Sequence, residues 1–212
     1  MDVRMLTVGQ IAENCFLFRR DGSDRALIVD PGDEAPRILQ AAEELGVTIE
    51  GILLTHTHFD HIGAVAPVAK ATGAPVWCPE IETPVLADIN SFVPWPGFGP
   101  YESYEADHTV TGGEKLELAG LEIDVIFTPG HSPGHVTYSI PDEAAIFSGD
   151  VLFQGSVGRT DLPGGDWATL LDSIRKLVEG HPPETTVYPG HMGITTLGAE
   201  RATNPFLTEL AR

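Results

Sequence analysis

The sequence is poor in basic residues, and this shortage excludes one broad class of partner. Its 212 residues include 12 Lys and Arg against 31 Asp and Glu, which gives a formal net charge of −19. The phosphates of a nucleic acid would be repelled by such a chain, because no cluster of cations offsets the negative charge. We therefore expect no nucleic-acid partner.

Long apolar runs and a leader-like start are also missing. The longest apolar stretches, such as ALIVD and GILLT, have the length of a strand and fall far short of the roughly 20 residues that cross a bilayer. The start of the chain has no basic segment followed by an apolar one, as a secretory signal would. The sequence predicts a cytoplasmic protein without a membrane partner and leaves its oligomeric state open.

Cysteine is scarce as well. Cys15 and Cys78 are the two in the chain, and each lies among apolar residues, a setting typical of a small buried thiol. A disulfide between them is the alternative, which a reducing compartment disfavours. We expect two free thiols.

Much of the sequence consists of short apolar runs that end abruptly in polar or glycine-containing turns. Strand-like runs alternate with stretches of helical periodicity, for example from Ile38 to Leu45 before Gly46. This alternation predicts an α/β (mixed α+β) fold in which two mixed sheets pack face to face with helices outside, a four-layer αβ/βα sandwich. We expect a single domain over residues 1–212, with two pseudo-symmetric halves at about 1–113 and 114–212.

Residues 83–113 differ in texture from the rest. They hold several aromatic residues and prolines but show little periodicity. A long loop in a compact domain is usually functional, so that an aromatic flap or lid is one interpretation. A packed surface connection is the other.

The motif with the most chemistry is HTHFDH at residues 56–61. One residue separates His56 from His58, so that both imidazoles can leave an irregular turn on the same side. Asp60 and His61 then aim at a neighbouring point. Four ligand-type residues within six positions serve no packing purpose and suit two closely spaced metal ions better than one.

Three more ligand-type side chains follow apolar strands elsewhere in the chain. LEIDVIFTPG leads to His131, AAIFSG to Asp150 and TTVYPG to His191. Loops at strand ends assemble sites in α/β sheets, and the proline or glycine before each residue sets a fixed turn. A turn-capping role is the alternative for Asp150. We predict that all three are metal ligands.

Together these five imidazoles and two carboxylates, without a thiolate, fit two divalent metal ions, Zn²⁺ first, with Fe or Mn as alternatives. Each ion would keep an open position that a shared water fills. In this assignment one ion is bound by His56, His58 and His131, the other by Asp60, His61 and His191, and Asp150 bridges them.

Two neighbouring residues have more than one interpretation. His135 either orients the loop of His131 or is a structural histidine. Asp30, in the segment VDPG, either hydrogen-bonds a ligand histidine or only forms the turn. Neither is predicted to be a metal ligand.

The order of these segments, beginning with DPG at 30–32, resembles the metallo-β-lactamase superfamily over nearly the whole chain. The sequence is most similar to its glyoxalase II group, the hydroxyacylglutathione hydrolases. Four segments carry this likeness: PGHSPGH at 129–135, FSGDVLFQGSVGRTDLPGGD at 147–166, YPGH at 188–191 and TNPF at 203–206. The resemblance implies the αβ/βα sandwich and the short, single-domain branch without a separate C-terminal helical domain.

The resemblance also implies an enzyme that hydrolyses S-2-hydroxyacyl thiols, with a small-molecule thioester as its partner. We expect a metal-bridging hydroxide to attack, and Asp60 to ligate a metal and to orient the hydroxide or accept its proton. Arg159 stands about where longer members use a basic residue to hold glutathione. Asp161 stands where those members carry an aromatic, which leaves the thiol carrier open between glutathione and other small thiols.

Other activities compete with this one. Persulfide dioxygenases of the same fold share the GRTD segment and use a single iron, and quorum-quenching lactonases share the full ligand set. A metal-binding protein without catalysis is a further class, and it would tend to close the coordination sphere with protein ligands. Metal stoichiometry separates the hydrolase, with two ions, from the dioxygenase, with one.

Overall fold

The computed structural model describes residues 1–209 and contains two mixed sheets in two compact units. Unit 1 comprises residues 1–110 and 117–121, and unit 2 comprises residues 111–116 and the described residues from 122 onward. The expected mixed α/β fold with two sheets and helices is confirmed. The single-domain organisation over 1–212 stays a prediction.

The first sheet lies in unit 1, and its strands follow one another in chain order. They are β1 (Asp2–Val8), β2 (Glu13–Arg19), β3 (Arg25–Val29), β4 (Thr48–Leu53), β5 (Val76–Pro79) and β6 (His108–Val110). The helices of this unit are α1 (Ala35–Leu45), α2 (Phe59–Ile62), α3 (Val65–Thr72) and α4 (Thr83–Ala87). Neighbours are antiparallel from β1 to β3 and parallel from β3 to β6.

Helix α1 shows how the sequence sets the ends of an element. Pro36 lies in its first turn, where the missing N–H needs no intrahelical partner. Ile38 and Ala42, four positions apart, face the core. Gly46 takes the left-handed conformation at φ 62° and caps the helix through a bond from its N–H to the carbonyl of Ala42. The predicted stop at Gly46 is confirmed.

The core of unit 1 positions the start of the 56–61 motif. Ile28 on β3 and Ile52 on β4 are fully buried, as is Leu54 just after β4. Burial of each such side chain stabilises the fold by about 1.5–3 kcal/mol relative to exposure. The end of β4, from which the motif emerges, is therefore firmly held.

The second sheet has the order β14-β13-β10-β9-β8-β7, and β11 and β12 form a separate hairpin. Its strands pair antiparallel where pairing is described, except that β10 and β13 are parallel. The strands are β7 (Lys115–Leu118), β8 (Leu121–Phe127), β9 (Val136–Ile140), β10 (Ala145–Gly149), β11 (Leu152–Phe153), β12 (Ser156–Val157), β13 (Thr186–Pro189) and β14 (Thr195–Thr196). The helices of unit 2 are α5 (Trp167–Gly180) and α6 (Leu197–Thr203).

Helix α5 holds the loop that precedes His131. Asp166 caps the helix by accepting a 2.8 Å bond from the N–H of Thr169. Along its buried face, the Ser173 hydroxyl donates a 2.6 Å bond to the carbonyl of Pro129. The N–H of Asp166 donates to the carbonyl of Gly130 at 2.8 Å. The Pro-Gly turn before His131 is thus fixed by one helix.

The segment 83–113 is more ordered than an irregular loop, and that part of its interpretation was wrong. It contains α4, a 3-10 turn at Ile89–Phe92 and strand β6. Its aromatic rings gather around Phe59, with ring centroids at 4.9 Å for Phe98, 5.9 Å for Trp95 and 6.0 Å for Tyr101. These three rings belong to the irregular stretch 93–107, which lies between the 3-10 turn and β6 and packs against the buried ring of Phe59. Its function as a lid stays a prediction.

Two expectations from composition are also met in the described residues. Cys15 and Cys78 are both free and buried, and burial raises the pKa of both thiols. Within residues 1–209, no helix is long and apolar enough to cross a bilayer.

Candidate metal centre

In unit 1 the four predicted ligands lie on the turn between β4 and α2. Nε2 of His56 and Nδ1 of His58 are 3.2 Å apart, and the rings of His56 and His61 lie 4.2 Å apart. Nε2 of His61 is 3.8 Å from Oδ2 of Asp60. His56 and His61 are fully buried, whereas the Asp60 side chain is 15% exposed. The structure therefore brings these four residues together, with His58 and Asp60 partly exposed.

Asp30 fixes the proton positions of two of these imidazoles. Its Oδ2 accepts from the Thr55 hydroxyl at 2.6 Å and lies 3.1 Å from Nδ1 of His61. Because the single hydroxyl proton of Thr55 goes to Asp30, the 3.0 Å contact between Thr55 Oγ1 and Nδ1 of His56 needs a proton on that nitrogen. In the neutral imidazoles of His56 and His61 the lone pair therefore lies on Nε2, which is the nitrogen that can bind a metal.

The two interpretations of Asp30 are thereby decided in favour of hydrogen bonding to a predicted ligand histidine. Its Oδ1 also accepts from the N–H of Thr55 at 2.8 Å, so both carboxylate oxygens hold protein groups. Asp30, His56 and His61 each offer an atom within 4.8 Å of the others. Since Asp30 already binds Thr55 and His61, we assign it as the anchor of these imidazoles.

Two buried glutamates near the motif were missed by sequence reasoning. Oε2 of Glu82 accepts a 2.7 Å bond from the hydroxyl of Thr57, the residue between the first two histidines. Oε1 of Glu13 lies 3.8 Å from Nδ1 of His61, and both glutamates are nearly inaccessible to solvent. Glu82 stands 21 positions after the motif and Glu13 stands 43 positions before it, and no local spacing marks them.

In unit 2 the three predicted ligands come from three strand ends, as expected. Oδ2 of Asp150 lies 3.4 Å from Nε2 of His131 and 3.5 Å from Nε2 of His191. Nδ1 of His131 donates a 2.8 Å bond to the carbonyl of Arg159, which again leaves the lone pair on Nε2. The ring of His135 lies 6.3 Å from that of His131, and its Nε2 accepts from the N–H of Asp150 at 3.1 Å.

A glycine lies against the backbone of the predicted aspartate ligand in each unit. A Cβ on Gly32 would come within 1.7 Å of the carbonyl oxygen of Asp60. A Cβ on Gly158 would come within 1.8 Å of the carbonyl oxygen of Asp150. Only a residue without a side chain fits at either place, so both glycines are required by close approach.

The ligand spacings test whether a metal fits each cluster. Two donors at the usual zinc distances of about 2.0–2.2 Å, at a tetrahedral angle, lie about 3.3–3.5 Å apart. The pair His56–His58 and the two pairs made by Asp150 span 3.2–3.5 Å. Imidazole and carboxylate donors without thiolate suit Zn²⁺, and also Fe or Mn. The residues present therefore fit a divalent metal, and the assignment of all seven as ligands stays a prediction.

Arg159, the predicted substrate contact, is already paired within the chain. Its Nε and Nη2 donate to the two carboxylate oxygens of Asp161 at 2.6 and 2.7 Å. This bond lowers the pKa of the Asp161 carboxyl to about 2 and raises that of the guanidinium. A carboxylate on a substrate would therefore have to compete with Asp161 for this guanidinium.

Unit 1 also has a small pocket beside Asp60. Its walls include Phe59, Phe98 and Tyr101 together with Gln10 and Ile11 on the turn after β1. Burial, followed by the nearby charge of Asp33, raises the pKa of the Tyr101 phenol, which stays protonated at neutral pH. An aromatic, largely apolar surface thus borders the predicted catalytic carboxylate.

A sequence profile of the metallo-beta-lactamase superfamily matches residues 8–191. The chain belongs to this superfamily. It is 42% identical to the probable metallo-hydrolase YqgX of Bacillus subtilis, over 98% of both chains. It is 35% identical to the hydroxyacylglutathione hydrolase GloC of Haemophilus influenzae, also over 98% of both chains.

Solved structures of the metallo-beta-lactamase superfamily agree with this assignment. BLEG-1, described as a B3 metallo-beta-lactamase, superposes with a TM-score of 0.92 at 40% identity, covering 98% of this chain and all of that one. TTHA1623, solved in a di-iron-bound form, superposes with a TM-score of 0.84 at 41% identity, covering 96% of this chain and all of that one. The protein is a metal-dependent hydrolase of the metallo-beta-lactamase fold.

Proposed function

We propose that this metallo-hydrolase is a thioester hydrolase of the glyoxalase II type, which uses two divalent metal ions and acts on S-2-hydroxyacyl thiols. The observation that carries the proposal is the preset tautomer of three imidazoles, His56, His61 and His131, each with Nδ1 anchored and the lone pair on Nε2. The 35% identity to a hydroxyacylglutathione hydrolase supports the substrate class.

We assign the reaction to the seven residues expected from the sequence. A divalent ion, when bound, lowers the pKa of a coordinated water to about 7 and so supplies a nucleophile at neutral pH. Water is consumed as the acyl C–S bond breaks and a C–O bond forms, which releases a carboxylic acid and a thiol. The partly exposed carboxylate of Asp60 orients the attacking water and accepts its proton. The metal ligands that we assign are His56, His58, Asp60, His61, His131, Asp150 and His191.

The metal and the thiol carrier are also part of the proposal. Zinc is our first assignment, and the di-iron form of TTHA1623 supports iron as the alternative. Arg159 would contact a carboxylate of the thiol carrier after exchange of Asp161, whose ion pair is exposed and therefore weak. The net charge of −19 supports a small-molecule partner over a nucleic acid.

The test combines elemental analysis of protein purified without added metal with hydrolysis of S-D-lactoylglutathione by the same sample. We expect close to two metal ions per chain and thioester turnover. Asp60→Asn and Asp150→Asn should each lower kcat/KM by about 100-fold or more while the fold is retained. Asp172→Asn, which removes an exposed ion pair with Arg175 on α5, is the matched control and should leave turnover unchanged.

Three outcomes would contradict this proposal in different ways. One iron per chain, with oxygen uptake on glutathione persulfide and no thioester turnover, would point to the dioxygenase. Two metals with hydrolysis of an acyl-homoserine lactone alone would point to the lactonase. Near-normal thioester turnover in Asp60→Asn would remove Asp60 from the mechanism.

A further inference from the structure

His135 is a fully buried histidine whose ring accepts a hydrogen bond from the backbone of Asp150, a predicted metal ligand. It is the second histidine of PGHSPGH and directly precedes β9. The N–H of Asp150 donates to Nε2 of His135 at 3.1 Å. A ring nitrogen that accepts a bond carries a lone pair, so the proton of this neutral imidazole lies on Nδ1.

On the other side of the ring, Thr128 offers an acceptor that suits this tautomer. Nδ1 of His135 lies 3.1 Å from Oγ1 of Thr128, which in turn lies 3.0 Å from Oγ1 of Thr137. All three residues are inaccessible to solvent. With the proton on Nδ1, the Thr128 hydroxyl accepts from His135, and its contact with Thr137 is compatible with either hydroxyl as the donor.

The backbone N–H of Asp150 needs an acceptor such as Nε2 of His135, because Asp150 lies just beyond the end of β10. The register of β10 with β13 shifts between Phe147 and Gly149, and Gly149 takes φ 47°. The N–H of Asp150 thereby leaves the sheet ladder and enters a buried region. On its other side, the Asp150 carbonyl faces Gly158 at a distance that excludes a Cβ. The Asp150 backbone thus has a hydrogen bond on its N–H side and a closely packed glycine on its carbonyl side.

We infer that His135 is a positioning residue for Asp150: its Nδ1–H tautomer, which Thr128 stabilises by accepting from Nδ1, fixes the Asp150 backbone and so directs the carboxylate toward His131 and His191. This role rests on the metal-binding part of the proposed function. His135 contacts neither metal nor substrate in this role, and its effect on the reaction passes through Asp150.

The first test is the tautomer itself, read in the full-length, metal-free protein from the nitrogen chemical shifts of His135 in a long-range ¹H–¹⁵N spectrum. We expect a protonated Nδ1 and an unprotonated Nε2. Thr128→Val should shift this tautomer, because it removes the acceptor for Nδ1–H. A wild-type spectrum with the proton on Nε2 would overturn the inference whether or not the protein is a thioesterase.

The second test is zinc affinity, measured by competition with a chromophoric chelator on the full chain. His135→Gln places an amide oxygen near the Nε2 position and keeps the acceptor, whereas His135→Asn reaches only the Nδ1 position. We expect the Asn variant to bind zinc about 10–100-fold more weakly than wild type, as outer-shell substitutions do, and the Gln variant within about threefold. Thr137→Val, which leaves Thr128 able to accept, is the matched control and should behave like wild type.

The outcomes separate the inference from the proposed function. Equal zinc loss in the Gln and Asn variants would overturn the inference, because the hydrogen bond to Asp150 would then not be the cause. If His135→Asn does not fold, Thr128→Val serves in its place, and wild-type zinc affinity in Thr128→Val would overturn the inference. Wild-type protein that binds zinc and hydrolyses no thioester would remove the proposed substrate and leave the role of His135 intact.

Discussion

The predicted ligands of the two units are held by different chemistry. In unit 1 the anchors are buried carboxylates: Asp30 contacts His61 directly and His56 through the Thr55 hydroxyl, and Glu82 accepts from the Thr57 hydroxyl. In unit 2 the anchors are neutral, namely the carbonyl of Arg159 on His131 and the imidazole of His135 on the Asp150 backbone. A charged anchor binds an N–H more strongly than a neutral one and makes the imidazole a better donor to a metal.

This difference follows from where the ligands lie in the chain. Four ligands on one turn crowd their imidazoles together, and buried carboxylates both orient them and place negative charge where a cation is expected. Three ligands on separate strand ends already have their direction from the strands, and neutral backbone contacts are sufficient to complete it. Unit 1 therefore depends on charge and unit 2 on backbone geometry.

We expect the largest effect from the two glycines, one in each unit, that lie against the backbone carbonyl of a predicted aspartate ligand. Gly32→Ala and Gly158→Ala each force a Cβ against a backbone carbonyl, and such overpacking costs about 1–3 kcal/mol or more. Thermal unfolding of the metal-free protein should show a clear loss of stability in both, together with weaker zinc binding. Gly180→Ala at the end of α5, where a Cβ would meet nothing within 4 Å, is the control and should be neutral or slightly stabilising. Unchanged stability and zinc binding in Gly158→Ala would show that backbone geometry does not govern unit 2.

An intermediate effect is expected from the charged anchors of unit 1. Asp30→Asn replaces one carboxylate oxygen, which accepts hydrogen bonds, by an amide NH₂ group, which donates them. That NH₂ group must face a donor of Thr55 or of His61, so zinc affinity should fall about 10–100-fold. Glu82→Gln keeps an amide oxygen for the Thr57 hydroxyl and should lose less. Chelator competition on the two variants checks this order. Equal losses of zinc affinity in the two variants would mean that losing a carboxylate acceptor is what matters, whether or not that carboxylate lies beside an imidazole.

The smallest effect is expected from the exposed ion pair of unit 2. Asp161→Asn removes the partner of Arg159 but leaves the Arg159 carbonyl on His131, so zinc affinity should stay within about twofold of wild type. Because the bond from Arg159 holds the pKa of Asp161 at about 2, below the unfolded value of about 3.9, the pair stabilises the fold above about pH 4.

That stabilisation is lost as the pH falls through about 2. The difference in thermal midpoint between wild type and Asp161→Asn, measured with chelator present, should therefore be small at pH 7 and shrink further below pH 4. A large loss of zinc affinity in Asp161→Asn would show that unit 2 also depends on charge.

Local patterns predicted the fold elements well where the physics is local. The stop of α1 at Gly46 follows from the left-handed conformation, and the strands before His131, Asp150 and His191 follow from apolar runs that end in Pro-Gly or Ser-Gly turns. The segment 83–113 was predicted less well, because its elements are too short to show periodicity and its aromatic residues contact Phe59, which is distant in the sequence.

The candidate site likewise divides into features that local sequence predicts and features that it does not. The sequence by itself determined the donor types, their order and the turns that carry them, because ligand chemistry and turn geometry belong to a few adjacent residues. Only the tertiary structure decided which nitrogen carries the proton in His56, His61, His131 and His135, and that Glu82 and Thr128 take part. Those assignments depend on hydrogen bonds between groups far apart in the chain, such as Asp30 with His61 and Asp150 with His135, which no local spacing encodes.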